Sequence, residues 1–354
     1  MKKVIALIMT AVIVVSTSAC SGAKSDKDSS KVSEKNLTKM DTIMTLKAYG
    51  DSAEKANNEA ADRIDEIEKM ASSTLEDSDV YRINKAAGKE YVKVHPEILK
   101  MLKTALEFSK MSGGAFDITV GPLINLWKIG TPEQRIPSDA EIKASLTLVG
   151  YDKISINEAE GSVMLQKEGM AIDLGGIAKG FTADEVLSIY KKYGVKSAII
   201  NLGGSSIYGM GIQPDGSAWN VGIQHPRKTR NEGNLGIVKI AEQAVSTSGD
   251  YERYFEKDNK RYHHILDPHT GYPADTGVMS DTIIVEGNEP DASMKADLLT
   301  TAVFVLGPEN GLKFVDKISN IECFITTKDY KLYTSAGYKN DIANLDTDFT
   351  LIKE

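Results

Sequence analysis

The sequence has little cysteine, only Cys20 and Cys323 in 354 residues, so a disulfide framework is excluded. It also lacks a basic excess: 42 Lys and Arg stand against 50 Asp and Glu, a net charge of −8. Nucleic-acid binders need a basic face to displace counterions from phosphates, and this balance argues against that class. An anionic ligand would have to be held by local groups such as a metal ion, a lysine or a helix N-terminus. Generic nucleotide signatures are missing too, since neither a P-loop nor a G-x-G-x-x-G is present. There is no internal repeat, and no low-complexity segment beyond a short stretch near the N-terminus. What is there reads as globular: 41% hydrophobic and 26% charged residues, with 29 glycines and 10 prolines, can supply a sizeable core.

The N-terminal residues read as an address. Met1-Lys2-Lys3 precedes an apolar run from Val4 to Val15, which is followed by small residues and Cys20. The run has the length of a signal-peptide core and is too short to span a bilayer. Thr17-Ser18-Ala19-Cys20 resembles the lipobox of bacterial lipoproteins, in which cleavage leaves a lipid-modified cysteine at the N-terminus. The expected organisation is a signal peptide over 1–19, a flexible tether over 20–36 rich in Ser, Lys, Asp and Glu, and a folded domain over 37–354.

Within that domain, Asp51-Ser-Ala-Glu54 has a capping-box pattern, and Ala53, Ala56, Ala60, Ile64, Ile67 and Ala71 recur at helical spacing, predicting a helix over 52–71. Pro96 opens a second helix that Gly113-Gly114 stops. A third covers 178–193 and leads into a strand at 197–202. Further strands are expected at 220–225, 235–241, 260–267, 280–286, 321–327 and 330–335, with helices over 290–306 and 309–318. Helices and strands mix without regular βαβ alternation, which predicts the α+β class.

Four constellations can carry chemistry. Ala171 to Gly180 (AIDLGGIAKG) joins a strand end, a Gly-Gly turn and a helix start, which can present free N–H groups to an anion or can be only a tight turn. Asp297 lies on a helix that is apolar almost all round. Thr301, four residues on, shares its face, with Thr300 beside it. Such hard oxygen ligands suit Mg²⁺, although a buried Asp paired with Arg or backbone donors is the alternative. Tyr262 to Pro273 holds three of the five histidines. Adjacent His263 and His264 face opposite sides of a strand, which disfavours zinc and favours one proton-transfer or phosphate-contacting histidine or a structural turn. Gly113-Gly-Ala-Phe-Asp117 could pack against a flat ring system.

Taken in order, Met40-Asp-Thr-Ile-Met44, GGAFD at 113–117, Val120-Gly-Pro-Leu123, DLGGIAKG at 173–180, Asn201-Leu-Gly-Gly204, Ser246-Thr-Ser-Gly249, HILDPHTGYP at 264–273 and ADLLTTA at 296–302 resemble the ApbE family of FAD:protein FMN transferases, over roughly 37–337. The resemblance implies an α+β, T-fold-related domain of two lobes with FAD between them and Mg²⁺ near the pyrophosphate. It implies Asp297 and Thr301 as metal ligands, the Ala178 carbonyl as another, and Thr300 close to the ion. Met40, Ala115, Phe116, Asp117, Asp173 and Lys179 would contact the flavin nucleotide. His264 would be the functional histidine, acting as base, with Asp267 as an alternative or orienting group. The implied activity is Mg²⁺-dependent transfer of FMN from FAD, a substrate here, to a Thr or Ser hydroxyl of an acceptor protein, releasing AMP. The alternatives are an Mg²⁺-dependent FAD pyrophosphatase and a lipoprotein that only binds flavin. The implied location is outside the cytoplasm, anchored to the membrane through Cys20. Where many members carry an aromatic residue, this chain reads Ser73-Thr74-Leu75-Glu76, so the resemblance implies one stacking contact fewer.

Overall fold

Runs that alternate between the two faces of a pleat build a central sheet, and helical-period runs cover one side of it. In the computed structural model, residues 31–352 are described, apart from 230, 231, 337 and 339–341. The chain starts with β1 (Val32–Lys39), β2 (Thr42–Tyr49), α1 (Ala53–Ala71), α2 (Asp79–Lys85), β3 (Val92–Lys93) and α3 (Pro96–Met111). It continues with α4 (Gly121–Trp127), α5 (Asp139–Leu146), β4 (Ile154–Asn157), β5 (Ser162–Leu165), α6 (Ala178–Lys192), β6 (Ser197–Leu202) and β7 (Ser206–Met210). Then come β8 (Trp219–Gln224), β9 (Asn234–Ile240), β10 (Gln243–Gly249), β11 (Tyr254–Lys257), β12 (Lys260–His263) and β13 (Val278–Glu286). The last elements are α7 (Ala292–Val315), β14 (Ile321–Thr327), β15 (Lys331–Thr334) and β16 (Thr350–Ile352).

Nine strands form one sheet in the order β1-β2-β6-β7-β10-β13-β14-β15-β16. Its pairs are antiparallel except β15 with β16. Helices α1, α6 and α7 pack on one face, where Met44, Ile200, Ile283, Leu298 and Phe304 share a core. The β8–β9 hairpin covers the other face, and Trp219, Val221 and Ile223 meet Val245, Ile284 and Phe324 there. A smaller core gathers Leu123, Trp127, Ile142, Val149 and Leu266. The fold is α+β.

Several expectations need correction. The expected signal peptide and Cys20 lie outside the described residues, but Val32–Asn36, read as tether, are part of β1 and pair with β2. This is an edge strand, and edges carry charged and polar residues that blunt aggregation, so composition mistook it for linker. The first helix begins at Ala53 with Ser52 as its N-cap, which makes no side-chain cap bond, and Asp51 pairs with Lys31. A capping box forms at Ser138–Glu141, which was not among the expected helix starts. The expected helices at 290–306 and 309–318 do form as two helices: they make up α7 and meet at a non-helical Gly307 (φ 78°, ψ 176°) before Pro308.

Candidate active site

The site is assembled from five segments. The first is the two-residue turn between β1 and β2, where Met40 (φ 49°) and Asp41 (φ 57°) both adopt left-handed backbone. This is the type I′ pattern, normally made by Asn-Gly. Glu68 Oε1 holds it by accepting from Met40 N at 2.6 Å. Gly203 packs under the adjoining Thr42, where a Cβ would lie 2.4 Å from Thr42 Oγ1.

The second is the 113–120 loop. Asp117 Oδ1 accepts from Thr119 N (2.8 Å) and Thr119 Oγ1 (2.6 Å), and Oδ2 accepts from Tyr151 N (2.9 Å). Burial raises the Asp117 pKa despite these bonds. Its carboxylate therefore fastens the loop, and the loop sets Ala115 and the buried Phe116 against the cavity.

The third and fourth segments are the starts of α6 and α7. Asp184 on α6 accepts from Ser293 N (3.0 Å) and Met294 N (2.9 Å), so α6 caps the first turn of α7. The two helices touch at Gly180, whose N–H donates to Asp297 Oδ2 at 2.9 Å. Asp297 is 5% exposed. Its Oδ1 accepts no hydrogen bond among the described residues and lies 3.8 Å from Lys179 Nζ. Gly176 sits between Phe116 and Thr301, where a Cβ would come within 3.3 Å of Thr301 Oγ1. Asp173 Oδ1 accepts from Gly175 N (2.8 Å), shaping the turn before α6.

The fifth is the strand and turn at 260–273. His263 is buried, donates from Nε2 to Ala274 O at 3.0 Å and meets Phe304 edge-on. His264 faces the cavity, so the two histidines do lie on opposite sides. The His264 Nδ1 lies 3.3 Å from Arg253 O, a contact that assigns the ring proton to Nδ1 and leaves Nε2 as acceptor. Burial, with the charges of Arg253 and His263 adding to it, holds the His264 pKa down at about 3. The imidazole is neutral at pH 7.

Together these segments enclose a cavity of about 470 Å³ lined by Met40, Ala115, Phe116, Asp117, Asp173, Lys179, His264, Asp297 and Thr301. Three anticipated residues are not among those lining the cavity. The Ala178 carbonyl, between the lining residues Gly176 and Lys179, accepts from Thr182 Oγ1 at 2.7 Å. Thr300 Oγ1 donates to Asp297 O (2.7 Å) and accepts from Ser248 Oγ (2.8 Å), so it ties α7 to β10. Asp267 spends its carboxylate on His269 N and Thr270 Oγ1, both at 2.9 Å, holding the turn. Sequence reasoning missed Arg253 and Trp127, which also line the cavity. Trp127 could have been found at the end of the quoted Val120–Leu123 segment, whereas nothing local marks Arg253. Residues 73–76 are not part of the lining, and Phe116 and Trp127 supply aromatic surface there.

A divalent cation fits this chemistry. A free carboxylate oxygen on Asp297 and the hydroxyl of Thr301 are hard donors at one wall of a polar cavity, the donor type Mg²⁺ takes together with water and phosphate oxygens.

A family model described as the ApbE family matches residues 40–325. The chain belongs to the ApbE family. It is 36% identical over 276 residues to a FAD:protein FMN transferase of Klebsiella pneumoniae (strain 342), covering 78% of this chain and 83% of that one. It is 34% identical to a FAD:protein FMN transferase of Treponema pallidum (strain Nichols), covering 80% of each. Among solved structures, it is similar to the ApbE protein of Thermotoga maritima, with a TM-score of 0.76, 31% identity and coverage of 89% of this chain and 97% of that one. The flavinyl transferase ApbE of Pseudomonas stutzeri gives a TM-score of 0.74 at 31% identity, with 86% and 93% covered. The stretch that the family model matches, 40–325, contains every residue of the cavity lining.

Proposed function

We propose that this chain transfers the FMN half of FAD to a Thr or Ser hydroxyl of an acceptor protein and releases AMP. The observation that carries the reading is the cavity itself: Asp297, Thr301, Lys179 and His264 converge in it, in a chain similar to FAD:protein FMN transferases. FAD is the substrate, and its pyrophosphate is the group that needs neutralising. Asp297 and Thr301 would hold Mg²⁺, which when bound stabilises charge on the phosphate oxygens. Lys179 and Arg253 add positive charge at the same cavity, and Phe116 and Trp127 offer ring surface.

The acceptor hydroxyl attacks the phosphorus on the FMN side. A new P–O bond forms to the acceptor, the bridging P–O bond breaks, and AMP leaves with the bridging oxygen. His264 Nε2 takes the hydroxyl proton. Its depressed pKa keeps it unprotonated, and an anionic pyrophosphate bound beside it favours the charged form and so strengthens it as a base.

Incubating the protein with FAD, Mg²⁺ and an acceptor domain tests this directly. Covalent flavin on the acceptor with stoichiometric AMP is expected. Free FMN with AMP would make it a pyrophosphatase, and unchanged FAD a passive binder. In the same assay Asp297→Ala should lose roughly a hundredfold in rate, because charge stabilisation in the transition state is worth several kcal/mol. Flavin fluorescence should show FAD still bound. Normal Mg²⁺-dependent turnover in Asp297→Ala would sink the metal assignment.

We also propose a lipid anchor at Cys20, supported by the basic start, the apolar run and the small residues before the cysteine. Cys20→Ser should move the protein from the membrane to the soluble fraction in its native host. Retention in the membrane fraction would refute the anchor.

A further inference from the structure

A second, narrower groove of about 180 Å³ adjoins the cavity and shares Ser205, Thr247 and Glu252 with it. Its wall includes Val221, Gly222, Ile223 and Gln224, four consecutive residues of β8. Side chains alternate across a strand, so four lining residues in a row place the groove along the backbone of β8, with Asn234 of β9 opposite Gln224 at one end. The other edge of β8 has no strand partner: among the described residues β8 pairs with β9 alone, while the far edge of β9 is bridged to Ala343. An unpaired edge offers a row of N–H and C=O groups to an extended chain.

The lining also differs in charge from that of the main cavity. Lys179 and Arg253 belong to the main cavity, whereas among the described residues the groove is lined by no lysine or arginine and by a single carboxylate, Glu252. It is therefore unsuited to a phosphate and suited to a neutral polypeptide. Gly204, Ser205 and Thr247 bring only small side chains to the lining, and the groove's volume of about 180 Å³ suits small residues of an entering chain.

We propose that the acceptor protein docks here by adding an extended segment to the free edge of β8, with small residues in the groove and its Thr or Ser hydroxyl delivered past Ser205 and Thr247 into the cavity. Main-chain hydrogen bonds supply affinity in this mode, and the narrow groove supplies selectivity. The proposal rests on the transfer reading above and specifies how its second substrate enters.

Asn234, an exposed residue of the groove that does not line the main cavity, allows a test. Asn234→Trp should fill the groove and raise the acceptor KM at least about tenfold, with FAD affinity by flavin fluorescence unchanged. Hydrogen exchange at the amides of 221–224 should slow when the acceptor domain is added to the full chain. Acceptor labelling by Asn234→Trp at the parent rate, or no added protection along β8, would overturn the docking proposal alone. A parent protein that labels no acceptor while binding FAD would overturn the transfer reading, and this proposal with it.

Discussion

Asp281 shows how far one residue can depart from the rules of its surroundings. It sits on β13 opposite Ser248 and Ile325, is 0% exposed, and neither carboxylate oxygen finds a hydrogen-bond partner among the described residues. Burial pushes its pKa well above the usual carboxylate range. The native state therefore keeps a proton that the unfolded chain releases above a pH of about 4. Native Asp281 binds more protons than unfolded Asp281 over that interval, so its contribution to stability falls as pH rises. Asp281→Val, apolar and suited to a strand, should stabilise the protein by about 2 kcal/mol at pH 8, with a smaller gain at pH 4.5. Thermal unfolding at the two values measures this, and an equal shift at both would contradict it. Nothing in the local sequence flags the residue, because a strand pattern with one Asp is as compatible with an outward-facing position as with a buried one.

At the scale of elements, the crossing of α6 and α7 places the metal-binding candidates. Both helices were legible in the sequence, but their point of contact was not. A Cβ at Gly180 would lie 2.3 Å from Ser293 O and 2.7 Å from Asp297 Cβ. Gly to Ala inside a helix ordinarily stabilises by about 1 kcal/mol. Here the close approach reverses the sign, and Gly180→Ala should destabilise by about 1 to 3 kcal/mol while lowering Mg²⁺-dependent turnover by displacing Asp297. Chemical denaturation reads the first effect and the transfer assay the second. A more stable, fully active Gly180→Ala would show that the helices do not meet as described. The β1 strand gives the opposite lesson: its polar, charged sequence looked like tether because an edge strand buries little.

Across the whole molecule, the segment after the family match closes the sheet. Ile237 N donates to Ala343 O at 2.8 Å, Lys228 pairs with Asp346 at 2.5 Å, and Phe349 packs edge-on against His225. Together they clasp the β8–β9 hairpin. Burial, with Lys228 nearby, lowers the His225 pKa. As pH falls below about 6.5, the unfolded histidine takes up a proton that the native one resists, so stability declines toward acid. Phe349→Ala should cost about 3 kcal/mol and flatten that acid decline, since water then reaches His225. FAD affinity should not change, because neither Phe349 nor His225 lines the main cavity. An unaltered acid slope in urea titrations at pH 5.5 and 7.5 would refute this account of His225.

The sequence by itself determined the long helices, the inner strands at 197–202 and 321–327, the order of the motifs, and the fact that His263 and His264 face apart. These are local properties, written in periods of 3.6 and 2 and in glycines at turns. Tertiary structure alone decided that Thr300 is held by Ser248 of β10, that Asp267 holds a turn, and that Arg253 joins the site. Each of those outcomes depends on which neighbour lies across a helix crossing or a strand register. Such contacts join residues tens to more than a hundred positions apart, and no period within a single element encodes them.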